Sequence, residues 1–437
     1  MNDPKCLVRL ACVVAAIALA MRLIVLVSFW PTWVWQSGHV QDDWNKLAIN
    51  LVTSGTFGFA ADQPTIQRGP IFPLLEIPLY LLFGEKYAGW SIALLLLDAC
   101  TSVLLVLLGR KLWGNRAALL AGLFHAVHLP VIYYSANIEQ FTSVLPLVLV
   151  WFYLISAWDL RAASKYHFLA LGLVSGILIL SKTVYLPVVI GSAAALIWLK
   201  GKQHDAKVLV KQVAVMLLVA GLVVVPWTYR NYIVTDGKFI PVQSLFWDAL
   251  WQKFVISDLD ALEGWNRPSG RMLEFMLARQ EQLFRSLGKQ NAAQLTGPQK
   301  ELYYEKTYKG QVLEWIKTDP ASYVRNIASN MWYFWVGAEN MKKTLLMAAM
   351  QVPLLGAALL GLWLAIQHRQ VHKLRFGLVL IFILWGEYSL VFGWGRYSLD
   401  AVPVLAFIFG TGIDARLRHR ECTISHGALS GPDARGT

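Results

Sequence analysis

The feature that most constrains this chain is a series of apolar runs of bilayer-crossing length, separated by short polar stretches in which lysine and arginine cluster. A run of about 20 apolar residues crosses the hydrocarbon core as a helix, because its backbone polar groups must be satisfied within the segment. Such runs lie at 10–30, 87–112, 117–135, 141–157, 168–181, 185–199, 213–227, 345–366, 376–391 and 399–413. They predict an all-α polytopic membrane protein, a bundle of about ten transmembrane helices. Composition agrees: of 437 residues 56% are hydrophobic and 15% charged, with 19 tryptophans, more apolar surface than a soluble domain can bury.

The net charge of +12 could suggest a nucleic-acid partner, but the basic residues sit between apolar runs. Arg110, Lys111 and Arg116 form one cluster, Arg161 and Lys165 a second, and Lys200, Lys202, Lys207 and Lys211 a third. Arg369, Lys373 and Arg375 form a fourth, and Arg416, Arg418 and Arg420 a fifth. Cytoplasmic loops facing anionic headgroups carry this pattern, so membrane lipids are expected partners and nucleic acid is not. Both termini are then cytoplasmic. Lys5 and Arg9 precede a run ending in bulky aromatics rather than a small-residue cleavage site, which predicts a retained signal-anchor. Cys6, Cys12, Cys100 and Cys422 have no paired spacing, so neither a disulfide framework nor a zinc site is expected.

This pattern divides the chain into a transmembrane module at 1–227 with an outer loop at 31–86, and a large outer loop at 228–343. Further transmembrane helices follow at 344–415, then a disordered cytoplasmic tail at 416–437 with no C-terminal domain. Residues 71–83 are apolar but interrupted by Pro73, Glu76 and Pro78, which suits an interfacial helix. Residues 321–336, rich in Trp and Tyr, suit another.

The stretch from Gln41 to Pro73 is the first polar interval after a spanning run, and candidate chemistry gathers there. Asp42 and Asp43 are adjacent, an amphipathic run covers Trp44 to Leu51, and Arg68 precedes a Gly-Pro pair. A carboxylate at the mouth of a membrane cavity can take a proton from a hydroxyl nucleophile. Equally, Asp42 can cap the helix beginning near Trp44. No G-x-x-x-x-G-K-[ST] sequence and no strand followed by G-x-G-x-x-G is present, so a nucleotide fuel is not expected and a lipid-borne donor is.

Motifs in order along the chain resemble the GT-C glycosyltransferases, specifically the bacterial family 39 group of ArnT-like and RgtA/B/C/D-like enzymes. The first outer loop carries Asp42, Trp44, Leu47, Ala48, Leu51, Gly58, Phe59, Arg68, Pro70 and Pro73. Tyr134 to Glu139, then Leu180 to Lys182 before Pro187, Pro226 to Asn231, and Arg396 with Tyr397 before Pro403 follow. The departures are Trp44 for the usual Tyr, Gly69 where Pro is common and Lys182 where Arg is frequent.

The resemblance implies a GT-C-like bundle with interfacial helices in its first outer loop. It implies an inverting enzyme of the bacterial inner membrane, facing outward, that moves a sugar from a polyprenyl-phosphate donor to a lipid A, polysaccharide or protein acceptor. Asp42 would be the base, with Asp43 the alternate. Glu139 would be a second acid, or else a cap for the helix near Phe141. Arg68, Lys182, Arg230 and Arg396, with Tyr397, would bind the donor phosphate, although any of the cations could instead snorkel at an interface.

Asp98 and Glu387 lie inside apolar runs, where hydrogen bonding to Thr101 or to neighbouring helices is expected rather than a proton relay. His39, His125 and His128 lack ligand spacing, and no metal or other cofactor is expected. A transporter or flippase of polyprenyl-linked saccharides is the alternative function, and a non-catalytic scaffold a second. The enzyme reading requires Asp42, Glu139, Lys182 and Arg396 to converge at one mouth.

Overall fold

The computed structural model describes residues 4–28, 40–158, 165–201, 205–286, 295 and 297–429. His39, Arg161, Lys202, the start of the first outer loop and residues 430–437 lie outside these. Regular structure among the described residues is helical apart from an isolated bridge between Ala60 and Gln63.

The ten apolar runs all form helices. They are α1 (Pro4–Ser28), α4 (Tyr87–Trp113), α5 (Asn115–Ala126) with α6 (Leu129–Ala136), α7 (Phe141–Ser156), α8 (Lys165–Ser181), α9 (Tyr185–Lys200), α10 (Ala206–Val234), α15 (Met341–Gln367), α16 (Arg375–Leu390) and α17 (Val402–Leu429). Among the described residues five helices are long and apolar enough to cross a membrane, and the α5–α6 pair, bent by 52°, makes a sixth if the two halves form one broken span. The bend falls at Val127 and His128, where His128 caps α6 and Pro130 occupies its first turn. The first loop carries α2 (Trp44–Ser54) and α3 (Ile71–Phe83), and the polar segment carries α11 (Phe246–Glu263), α12 (Arg271–Ser286), α13 (Gly297–Thr318) and α14 (Pro320–Val336).

Two boundaries differ from the sequence reading. Helix α10 continues past residue 227 to Val234, because Arg230 and Asn231 find backbone partners that make a polar turn of helix stable there. The tail expected to be disordered from 416 is helical through Leu429, with Arg418 bonded back to Asp414 at 2.7 Å and Glu421 to Arg116 at 2.8 Å.

Packing within the bundle uses small residues as well as apolar ones. A β-carbon on Gly412 would lie 1.9 Å from the Gly361 carbonyl oxygen, so α15 and α17 touch backbone to backbone. The main core joins α4, α5, α7, α8, α9, α16 and α17, with Trp151, Phe152, Phe407 and Tyr185 fully enclosed. A separate core of Trp251, Leu283, Phe284 and Tyr308 holds α11, α12 and α13 together, with Trp251 stacked on Tyr308 at 4.6 Å.

The bundle has chemically distinct ends. Trp113 donates to the Lys373 carbonyl at 3.2 Å and Arg116 pairs with Glu421, so three of the basic clusters share one end. At the other end of α4, Tyr87 accepts a hydrogen bond from Asn45 at 2.7 Å, and there the first loop packs through Trp44, Leu47, Phe72 and Trp90.

Between the ends lies a charged contact that the sequence reading did not place. Arg22 of α1 donates to Asp98 of α4 at 2.7 and 3.1 Å, and His125 stands 3.5 Å from the same carboxylate. Asp98 was expected to bond Thr101 or a neighbouring helix, and it is the neighbouring helix that it meets, through Arg22, while the Thr101 hydroxyl donates to Leu97 of its own helix. Glu387 departs from that expectation: its Oε2 is buried with no hydrogen-bond partner among the described residues.

Removing one member of the Arg22–Asp98 pair leaves an uncompensated buried charge. Arg22→Met is expected to destabilise the protein by about 3–5 kcal/mol. Arg22→Met combined with Asp98→Leu should recover most of that loss, measured as thermal unfolding of the purified protein in detergent.

Candidate active site

At the α4 Tyr87 end of the bundle, three distant parts of the chain meet. A 3₁₀ turn over Gln41–Asp43 leads into α2, the link from Asn137 to Gln140 joins α6 to α7, and a second 3₁₀ turn over Gly395–Ala401 leads into α17. One guanidinium nitrogen of Arg396 lies 3.3 Å from Asp42 Oδ2 and 3.1 Å from Glu139 Oε1. The Arg396 ring neighbours are Trp394 and Tyr397, at 5.1 and 5.3 Å. Tyr397 is itself stacked on Tyr388 at 4.5 Å, which fixes the wall behind the arginine.

The two candidate carboxylates differ in setting. The Asp42 side chain is 34% exposed and that of Glu139 only 5%, so one faces water and the other stands behind it. Burial pushes the Glu139 carboxyl up to about 7, against the opposing pull of Arg396. Neither residue caps a helix through its side chain: the residue preceding α2 is Asp43 and that preceding α7 is Gln140, both without a side-chain cap bond. Asp43 pairs with Lys46 at 3.1 Å, so of the two adjacent aspartates it is Asp42 that reaches Arg396.

Lys182 lies beside this group. Its ammonium contacts both oxygens of Asp400 at 2.9 and 3.0 Å, and its positive charge is felt at Glu139. Asp400 is fully buried and was missed by the sequence reading, which passed from Tyr397 directly to Pro403. The available signal was an acid at the start of an apolar run, where a buried charge demands a partner. Gln140 donates to the Ser181 carbonyl, tying the Glu139 link to the residue before Lys182.

Arg68 is carried to the same end by a close approach. A β-carbon on Gly69 would sit 2.2 Å from the Leu180 carbonyl oxygen, so the loop can pass α8 here only with glycine. The Arg68 guanidinium lies 5.1 Å from the Trp44 ring and 5.6 Å from that of Phe59, and has no carboxylate within ion-pair distance among the described residues.

Arg230 does something else. It donates to the Thr65 carbonyl at 2.6 Å and the Phe57 carbonyl at 3.1 Å, and sits 4.9 Å from the Trp227 ring. Glu301 of α13 accepts from the Thr65 hydroxyl at 2.6 Å and the Ile66 amide at 2.8 Å. Together they clamp the turn that leads to Arg68, so Arg230 positions the loop with donors that a phosphate would otherwise need. His125 and His128 are buried within the bundle, and among the described residues no group of three His, Cys, Asp or Glu side chains is placed to hold a metal ion.

Residues 67–229 match the family described as dolichyl-phosphate-mannose-protein mannosyltransferase. No curated protein matches the chain in sequence. Among solved structures, the archaeal oligosaccharyltransferase AglB from Archaeoglobus fulgidus, in complex with an inhibitory peptide and a dolichol-phosphate, is similar at TM-score 0.53 and 15% identity, over 99% of this chain and 52% of that one. The Archaeoglobus fulgidus oligosaccharyltransferase in the apo form is similar at TM-score 0.55 and 14% identity, over 100% and 53%. ArnT from Cupriavidus metallidurans bound to undecaprenyl phosphate is similar at TM-score 0.51 and 15% identity, over 94% and 60%. The chain thus spans a little over half the length of these neighbours. At 14–15% identity the likeness shows the fold alone, and the chain has a GT-C fold.

Proposed function

We propose that this protein is an inverting glycosyltransferase that moves a sugar from a polyprenyl-phosphate donor to an acceptor on the outer face of a bacterial inner membrane. The observation that carries the reading is the Arg396 guanidinium shared by Asp42 and Glu139, with Lys182 alongside, at the end of the bundle away from three of the basic clusters. Two fold neighbours bind an isoprenoid phosphate, dolichol-phosphate in AglB and undecaprenyl phosphate in ArnT, which supports a donor of that class here.

Inversion requires attack from the face opposite the phosphate. Asp42, the more water-accessible carboxylate, takes the proton of the acceptor hydroxyl as its oxygen bonds to the anomeric carbon. The carbon–oxygen bond to phosphate breaks, and the polyprenyl phosphate leaves with the electron pair. Arg68 and Lys182 stabilise that growing negative charge, and Arg396, itself paired with Glu139, holds Asp42 in place directly. Asp43 is not needed in this scheme. The sugar, and the choice among lipid A, polysaccharide and protein acceptors, are left open by it.

A flippase would need a polar path through the bilayer, and the buried Arg22–Asp98 contact is closed on itself rather than continuous with the site. Under the transferase reading Asp42→Asn lowers the transfer rate by about 10²–10⁴-fold while undecaprenyl phosphate still binds. Transfer at the normal rate by that variant would reject the base assignment, and lipid translocation with no transfer would favour the flippase. Arg68→Gln weakens undecaprenyl phosphate by about tenfold, the effect of losing one charge-assisted contact of about 1.4 kcal/mol, measured as the Kd of the purified protein.

The ionised form of Glu139 is the one that pairs with Arg396, and that form is lost as pH falls through about 7. The rate is therefore expected to rise with pH up to about 7 and then level off, and Glu139→Gln should erase that limb of the profile.

A further inference from the structure

The loop that carries Arg68 is fastened to the start of α11. The Ser244 amide donates to the Ile66 carbonyl at 2.8 Å, two residues before Arg68, while the Ile66 amide goes to Glu301. Asp248 follows in the first turn of α11, where its own amide and that of Trp247 are held by Glu305. Arg68 and Asp248 are close enough for the cation to act on the carboxyl and too far apart to form an ion pair. Burial pushes the Asp248 carboxyl up, and the Gln252 amide and the Arg68 charge pull it back down.

The hydrogen-bonding capacity left over on the two sides differs in kind. Asp248 Oδ2 accepts from Gln252 Nε2 at 3.0 Å. A carboxylate only accepts, so the amide nitrogen is the atom turned toward it, which leaves Asp248 Oδ1 and Gln252 Oε1 as spare acceptors. Neither has a partner among the described residues, and neither is sealed from solvent. On the Arg68 side the spare groups are donors. Arg68 Nε and the Trp44 indole N–H are buried with no partner among the described residues, and the guanidinium bonds only the Gln67 carbonyl, at 3.3 Å. Buried donors left unsatisfied are costly, and a ligand oxygen at the Trp44–Arg68 stack would relieve them.

A phosphate suits those donors and is repelled by the carboxylate. A sugar joined to that phosphate suits the acceptors, because its hydroxyls donate. We propose that Asp248 and Gln252 bind hydroxyl groups of the sugar carried by the lipid donor, and that the Asp248 charge excludes uronates. The assignment deepens the transferase reading and rests on it for the phosphate at Arg68. A uronate carboxylate brought up to Asp248 would meet a like charge in a partly desolvated place, which turns the same residue from a contact into a filter.

The test is binding to the purified full-length protein. The ligands are undecaprenyl phosphate alone and undecaprenyl phosphate linked to glucose, mannose, galactose, arabinose or galacturonate. In the wild type the galacturonate lipid should bind at least about tenfold more weakly than the best neutral one, the effect of one unfavourable charge contact. Asp248→Asn should weaken the best neutral sugar-lipid by about tenfold, through loss of a charge-assisted hydrogen bond, and close the gap to galacturonate. It should bind bare undecaprenyl phosphate no more weakly, because a negative charge near the phosphate is gone. Gln252→Ala should weaken the same sugar-lipid and spare the bare lipid, and it carries the test if Asp248→Asn does not fold. Equal weakening of bare and sugar-bearing lipids marks a structural role and overturns the proposal. So does unchanged sugar binding, or a wild type that takes galacturonate as tightly as any neutral sugar. No turnover is needed, so a protein that discriminates in this way yet transfers no sugar sinks the transferase reading and leaves the sugar contact standing.

Discussion

The arrangement depends on a guanidinium that cannot be left alone. Arg396 is almost enclosed, at a position where the chain is about to re-enter an apolar bundle, and a cation there needs a negative partner. Its partners come from residues 42 and 139, so a single nitrogen fixes three segments relative to one another. The backbone around it is held in costly conformations: Asp42, Asp43 and Ile138 have φ of 59°, 54° and 58°. Left-handed geometry at a non-glycine residue costs on the order of 1–3 kcal/mol, and it persists where surrounding contacts dictate it. Here those contacts are the ion pairs themselves, joined by the Lys46 contact to Asp43.

Precision at this centre also depends on what holds the first loop from behind. The chain from Phe57 to Thr65 turns back on itself, with the Thr65 amide donating to the Phe57 carbonyl at 2.9 Å. Arg230 draws both of those carbonyls toward α10, and Glu301 draws the next residue toward α13. The polar helices between α10 and α15 are therefore part of the machinery that places Arg68. Glu305 performs the same service one turn on, accepting from the amides of Trp247 and Asp248 at the start of α11.

Much of this was legible in the sequence because hydropathy and charge act locally. An apolar run bounded by basic residues has one low-energy solution in a bilayer, which is why the helices stand where the runs predicted. The convergence of Asp42, Glu139, Lys182 and Arg396 was legible only through the resemblance, since spacing in sequence says nothing of which loops meet. Three contacts escaped because each is a property of pairs. Arg22 reads as a blemish in an apolar run until Asp98 is known to face it, and Asp400 matters only as the partner of Lys182. Arg230 shows the converse. It sits in a motif shared with its resembling family, yet its donors go to backbone carbonyls, a use invisible in any list of charged residues. Asp248 was unreadable for the same reason: one acid among several in a polar segment is distinguished only by the Gln252 amide it holds and the Arg68 charge that reaches it.

The charges at the centre also bear on how a lipid phosphate would come and go. Lys182 is matched by Asp400 and Arg396 by Asp42, which leaves Arg68 and Glu139, so the ionisation of Glu139 decides whether the group is neutral or carries an excess positive charge. A phosphate arriving at Arg68 favours the protonated form of Glu139, and by reciprocity the protonated form favours the phosphate. In the proposed reaction the donor is a phosphodiester with one negative charge, while the departing phosphomonoester carries about −1.5 to −2 near pH 7. Product therefore holds the proton on Glu139 more firmly than substrate does. The proton removed from the acceptor is collected at Asp42, the carboxylate open to water, so it can leave without passing through the buried one. In the proposed reaction, two carboxylates of unequal exposure on a single arginine would thus separate the work of deprotonating the acceptor from that of balancing the charge of the lipid.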